Sequence, residues 1–373
     1  MAKEQKTMME TLQGEVRASW NKASSRLAAV LAVLIMVGLP LVFQDYYFNI
    51  LQVKYWYYCG VVIAAAVIYV IMAVIFWNRD RKWCDGALLK GLKSNLSLKS
   101  LTVAEWAMLA FLLASAISTL QSEYVYESFW GNEGRFVGLF MIILYTISFF
   151  IIARKLEFKK WYLDVFLGTG MIVCLIGILH YFEFDPIGFK NDLNYLDYVD
   201  FTSTIGNINT YTSYLALVVG VSTVLFTVEK EAKRKVWYTV CVVVSLFALI
   251  TGISDNAYLT LLALLGLLPF VLFNSVRGVR NYVVILAIVC TEFIGIGFTV
   301  DKFPEHVLAI NGLFNVITDF KGLPVITVVL WILGIGLYFA ERNVLKNAKE
   351  SNLGRWIWLA AVIIVFSGLG KVL

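Results

Sequence analysis

The chain has 373 residues, of which 60% are hydrophobic and only 15% charged. A soluble domain of this length carries nearer a quarter charged residues, so the composition excludes an ordinary soluble fold and points to a membrane protein that crosses the bilayer many times. The formal net charge of +5 is accounted for by topology signals and calls for no nucleic-acid partner.

Residues 1–26 mix Lys, Glu and Gln at roughly helical spacing and lead into an apolar run too long for the core of a signal peptide. They read as a cytoplasmic amphipathic segment that stays attached. The remainder, 27–373, reads as a single transmembrane domain. Predominantly apolar runs of 17–22 residues recur along it, each about long enough to cross roughly 30 Å of hydrocarbon as a helix. They fall at 27–48, 56–77, 102–120, 137–153, 161–180, 208–226, 236–252, 257–273, 281–300, 323–340 and 356–370. Continuous runs of this length exclude a β-barrel. The predicted fold class is all-α, a polytopic membrane helix bundle of about eleven transmembrane helices.

Orientation follows from lysine and arginine, which accumulate in cytoplasmic loops. With the N-terminus cytoplasmic, all but six of the 31 fall on the inner side; the exceptions are Lys54, Arg135, Lys190, Lys302, Lys321 and Lys371. Of the five cysteines, Cys59, Cys174, Cys241 and Cys290 fall in or near spans and Cys84 in a cytoplasmic loop. None makes a metal-type or disulfide-type pair. Glu105 and Asp164 lie close to the cytoplasmic boundary and are expected to reach water.

Polar residues beside the apolar layer are costly, and here they cluster on the outer face. The first outer segment holds Trp130, Gly131, Asn132, Glu133, Gly134 and Arg135. Its glycines permit a tight turn, Arg135 offers a fork of donors matched to phosphate oxygens, and a helix starting near Phe136 adds positive charge. That makes an anion cradle. The other reading is that Arg135 pairs with Glu133 or Glu127, or snorkels to the headgroups.

The second segment, 181–209, interleaves aromatics, carboxylates and amides as a sugar site would. An interfacial aromatic belt explains some of its tyrosines equally well. Asn207 and Asn209 stand where the sixth span begins, beside Gly206, and either present amides to a ligand or cap the helix. The third segment, Ser254, Asp255, Asn256, Ala257 and Tyr258, puts a carboxylate where it must be paired or hydrated, and Arg135 is one partner that would satisfy Asp255. Glu292, within the ninth span, raises the same question. The two histidines, His180 and His306, lie on the outer side, where each is either a base near neutral pH or a hydrogen-bonded structural residue.

Three patches in this order, Glu-Ser-Phe-Trp-Gly-Asn-Glu-Gly-Arg-Phe-Val-Gly-Leu (127–139), Phe-Thr-Ser-Thr-Ile-Gly-Asn-Ile-Asn-Thr-Tyr (201–211) and Ser-Asp-Asn-Ala-Tyr-Leu (254–259), resemble the O-antigen ligase and polymerase family of bacterial envelope proteins. Coverage is best from about 102 to 273, and Asp-Tyr-Tyr-Phe-Asn-Ile with Lys54 is similar to the Gram-positive members. The resemblance implies an integral-membrane glycosyltransferase in the bacterial cytoplasmic membrane, active in cell-envelope polysaccharide synthesis. It would take a glycan from undecaprenyl pyrophosphate and pass it to an extracytoplasmic acceptor, whether glycan, lipid, wall polymer or protein. On that resemblance Arg135 holds phosphate, Asn207 and Asn209 line the donor site, and Asn132, Glu133, Tyr211, Ser254 and Asp255 belong with them to the substrate site. No metal or other cofactor is implied.

Two departures from the family pattern stand out. Many ligases carry Ser-Arg where this chain has Ser254-Asp255. The large outer loop with the family's later arginine and histidine has no counterpart in the short segment 301–322, whose His306, the candidate base, fits no family motif. The expectation is a shortened member whose loop would lie beyond Leu373. The alternatives are a lipid-linked glycan flippase or other transporter, which would place ionisable groups near the bilayer midplane, and a non-catalytic scaffold of envelope assembly.

Overall fold

The computed structural model describes residues 2–83, 98–132, 134–191, 193–344 and 351–369. Glu133, Cys84 and Lys371 therefore lie outside the described residues. The chain divides into two compact units, Met1–Val165 and Phe166–Leu373.

In the first unit, helix α1 (Ala2–Val33) runs through a π turn at Leu34–Gly38 into the short α2 (Leu39–Leu41). A π turn and a helix end leave carbonyls without intrahelical donors. Helix α3 (Ile50–Trp83) supplies them: Tyr57 donates its hydroxyl to the Leu34 carbonyl at 2.9 Å, and Lys54 Nζ donates to those of Leu39, Pro40 and Val42 at 2.7, 3.1 and 3.0 Å. Helix α4 (Val103–Leu120) opens on a capping box in which Thr102 and Glu105 bond each other's backbone N–H. The short α5 (Val125–Trp130) and then α6 (Leu139–Lys155) follow.

Glu105 corrects the expectation that it reaches water. It is 4% exposed, and its carboxylate accepts from Thr102 and from Arg154 Nε in the last turn of α6. The cap holds the carboxylate in place, and antiparallel packing of α4 on α6 delivers the cation. Helices α1 and α3 pack on α6 as well, closing a core that includes Ala28, Leu31, Tyr58, Val62, Met141 and Leu144.

The second unit takes most of α7 (Trp161–Tyr181), then α8 (Tyr195–Asp200) and a two-stranded hairpin of β1 (Phe201–Thr202) and β2 (Gly206–Asn207), paired Phe201 to Asn207 and Thr202 to Gly206. Helices α9 (Ile208–Val228), α10 (Ala232–Ile250), α11 (Asn256–Leu272) and α12 (Val276–Lys302) follow. The chain continues with α13 (Leu313–Thr318), α14 (Leu323–Asn343) and α15 (Leu353–Leu369). Neighbours in sequence are neighbours in space: α9 packs on α10, α11 on α12, and α14 on α12. Glycines set the closest approach. A Cβ at Gly170 would stand 2.8 Å from a Val218 methyl, and one at Gly177 would stand 2.0 Å from the Tyr211 hydroxyl, so α7 and α9 meet where α7 has no side chain.

The protein is an all-α helical bundle with one minimal hairpin among the described residues. Each of the eleven apolar runs lies largely on a helix. Among the described residues, seven helical stretches, Glu10–Leu41, Ile50–Arg81, Val103–Leu120, Trp161–Tyr181, Ile208–Val228, Val276–Lys302 and Leu323–Asn343, are long and apolar enough to cross a membrane by length and composition. The other four runs lie on α6, α10, α11 and α15, which are shorter or, in α10, open with Lys233, Arg234 and Lys235.

Candidate functional site

The segment between α5 and α6 is built for a tight reversal. Gly131 and Gly134 take positive φ of 88° and 87°, and the Asn132 carbonyl accepts from the N–H groups of Arg135 and Phe136 at 3.1 and 3.0 Å. Phe136 itself sits at φ 52°, a left-handed conformation costly for a bulky residue. Its ring stacks on Tyr55 at 4.7 Å, which helps to offset that cost. Gly138 packs so closely that a Cβ there would lie 2.3 Å from the Phe129 carbonyl oxygen. Helix α6 accordingly starts at Leu139, three residues later than the sequence suggested, because the turn consumes 131–138.

The reversal leaves an open cleft of about 520 Å³ lined by Ser122, Tyr124, Glu127, Ser128, Gly131, Asn132, Arg135 and Val137. Arg135 is exposed, and no ion pair joins it to Glu127 among the described residues. The serines were not individually legible. Ser128 donates its hydroxyl to Ser122 Oγ at 2.8 Å, and Ser122 Oγ accepts the Tyr124 N–H at 3.1 Å. The two lie six positions apart with Ser122 outside the helix, a spacing no periodicity brings together. The cleft offers a guanidinium fork, hydroxyls and an amide to an anion or polyol, with one carboxylate to accept from hydroxyls.

In the second unit, Asn207 takes the capping role, its Oδ1 accepting the Asn209 N–H at 3.0 Å at the start of α9. Asn209 Oδ1 accepts from the Ser254 hydroxyl at 2.7 Å, and its carbonyl accepts from Asn256 Nδ2 at 3.4 Å. Two of the sequence patches thus meet. Asn207, Asn209 and Asp255 are exposed and Ser254 is half-buried, so of the two alternatives, paired or hydrated, Asp255 takes the hydrated one. Tyr211 is 1% exposed and turned into the seam against Gly177, away from the exposed amides.

Sequence reasoning undervalued the segment between α7 and α9. His180 is 1% exposed; its Nδ1 accepts the Ser203 N–H at 3.0 Å and its Nε2 lies 3.4 Å from Asp185 Oδ1. An acceptor at Nδ1 puts the ring proton on Nε2, aimed at that carboxylate. Burial pulls the Asp185 carboxyl up, but the Lys190 N–H, the His180 imidazole and the Phe189 and Gly188 amides together hold it below the ordinary value. Lys190, 3% exposed, donates Nζ to the Tyr198 carbonyl at 2.8 Å and lies 4.4 Å over the Tyr198 ring. Burial lowers its pKa to about 8. His180 is thereby committed to holding the loop. His306 is exposed at the end of the turn Pro304–His306, in a segment anchored by the Leu308 N–H to the Tyr181 carbonyl at 2.9 Å.

No protein-family model, curated protein or solved structure matches the chain.

Proposed function

We propose that the protein is a membrane glycosyltransferase of the O-antigen ligase and polymerase type, moving a glycan from undecaprenyl pyrophosphate to an acceptor outside the bacterial cytoplasmic membrane. The observation that carries this reading is the exposed Arg135, free of ion pairs among the described residues and lining a cleft with two serines and Asn132. Departure of a pyrophosphate concentrates negative charge, and a guanidinium fork free to take two phosphate oxygens is matched to that charge. The cleft's hydroxyls, Asn132 and Glu127 suit the hydroxyl-rich remainder of such a donor. Acceptor deprotonation needs a base, for which exposed His306 is the candidate.

The reading includes eleven spans with the N-terminus in the cytoplasm. Supporting it, Arg277 and Arg280 gather at one end of the second unit, where Arg277 donates to the Glu229 carbonyl and Arg280 pairs with Glu341. The paired Asn209 and Ser254 lie at the other end. A second reading, transport of a lipid-linked glycan, draws on Glu292, a carboxylate half-buried within α12.

One experiment separates them. Purified protein in liposomes is given undecaprenyl-pyrophosphate-linked glycan and an acceptor. Release of undecaprenyl pyrophosphate that depends on Arg135 supports the transferase; translocation with the glycosidic bond intact supports transport and removes the first reading.

A further inference from the structure

At the basic end of the second unit, far along the chain from Arg135, α11 and α15 form an open cavity of about 320 Å³ lined by Phe270, Asn352, Arg355, Trp356 and Leu359. Its frame is well tied. Trp358 Nε1 donates to the Gly266 carbonyl at 2.9 Å, and the Ser351 N–H donates to the Asn274 carbonyl at 2.9 Å. A Cβ at Gly354 would lie 2.4 Å from the Phe273 carbonyl oxygen, so α15 meets the end of α11 at backbone distance.

Within this frame Arg355 is only partly satisfied. Its Nη1 donates to Asn352 Oδ1 at 3.0 Å and its Nη2 to the Val271 carbonyl at 3.2 Å. Its Nε is buried and finds no acceptor among the described residues. A buried donor on a charged group costs more to leave unmade than a neutral one. Apart from Asn352 the rest of the lining, Phe270, Trp356 and Leu359, is apolar, and Leu353, Trp356 and Ile357 expose 66%, 66% and 61% of their surface. The same end carries Arg277 and Lys235. A guanidinium in need of an acceptor beside an apolar wall, at the basic end of a membrane helix bundle, describes one kind of ligand.

We propose that this cavity binds the phosphodiester of an anionic membrane phospholipid. Arg355 Nε donates to a phosphate oxygen, while Phe270, Trp356 and Leu359 cover the glycerol and the first acyl carbons. A free phosphate would satisfy Nε but leave the apolar walls uncovered. This site is independent of the glycosyltransferase reading and stands or falls without it.

The test is native mass spectrometry of the full chain in mild detergent, titrated with phosphatidylglycerol, phosphatidylcholine or inorganic phosphate. Phosphatidylglycerol should be retained about tenfold better than phosphatidylcholine, and inorganic phosphate should neither bind nor displace it. Arg355→Lys, which loses Nε and the fork, should abolish the preference. Asn352→Asp keeps an acceptor for Nη1 but adds a negative charge beside the guanidinium, and it should abolish the preference even if Arg355→Lys fails to fold. Equal retention of the two lipids, unchanged retention by Asn352→Asp, or displacement by inorganic phosphate at equal concentration overturns the proposal.

Discussion

Ser254 donates its hydroxyl to Asn209 Oδ1 across 2.7 Å, joining two polar patches 45 residues apart in sequence at one end of the second unit. Asn209 also receives Asn256 Nδ2 on its carbonyl and gives its own N–H to Asn207. Asn209 is thus the node that ties the start of α9 to the start of α11. Ile253, immediately before Ser254, is held at φ 52°, a conformation that β-branched residues rarely adopt. The network therefore carries backbone strain that its hydrogen bonds must offset.

Removing either partner should cost about 1 kcal/mol, the net worth of one such bond. Ser254→Ala and Asn209→Ala should also be non-additive, with the double variant hardly less stable than the worse single one. Thermal unfolding of the four proteins in one detergent checks this. Strictly additive losses would mean that the two side chains act separately.

Arg135 contributes little to the fold, since it is exposed and makes no side-chain hydrogen bond among the described residues. Arg135→Lys should leave the melting temperature unchanged while weakening donor binding about tenfold, because the charge remains and the bidentate fork is lost. Arg135→Ala should weaken it further. Binding of undecaprenyl pyrophosphate, followed by intrinsic fluorescence of the purified variants, gives the comparison. Equal affinity across all three proteins removes phosphate binding from this residue.

The apolar runs were legible because helix length and hydropathy are local properties. The turn before Arg135 was legible for the same reason, as glycines at 131 and 134 announce a reversal. Long-range pairings were not. Glu105 looked like a boundary residue until α6 brought Arg154 to it. Lys54 read as a lone outer charge, yet it caps three carbonyls that only the π turn and Pro40 expose. His180 read as either a base or a hydrogen-bonded structural residue and Lys190 as an outer charge; what gives them their structural role is the hairpin at Ser203 and the Tyr198 carbonyl, neither marked by any spacing. Asn207 was ambiguous between cap and ligand contact, and the cap is the role seen.

The α7–α9 seam depends on Gly177, where a Cβ would lie 2.0 Å from Tyr211 Oη and 2.5 Å from Cζ. Gly177→Ala should destabilise the protein by about 1–3 kcal/mol, as overpacking of a tight interior does. Tyr211→Leu in the same chain should recover a good part of that loss, and Tyr211→Phe less, because the ring would still collide. Chemical denaturation in mixed micelles measures it; no recovery with leucine would place the clash elsewhere.

Lys190 sets a pH dependence with a definite sign. Burial disfavours its charged form and brings its pKa from 10.5 in the unfolded chain to about 8. Between those values the unfolded chain binds more protons than the folded one, so stability should rise with pH across the window from about 8 to 10.5. The opposite trend is what an exposed, salt-bridged lysine would give. Lys190→Met keeps the buried stem, removes the titrating group and leaves the Tyr198 carbonyl without its donor. The variant should therefore lose the upward slope while starting from a loop opened more readily. Limited proteolysis within 182–207 at pH 7.5, 8.5 and 9.5, scored as the ratio of wild type to variant, isolates this residue from the tyrosines that titrate nearby. A ratio that does not change with pH would mean that Lys190 is solvated in the folded protein and that the loop is held by His180 and Asp185 alone.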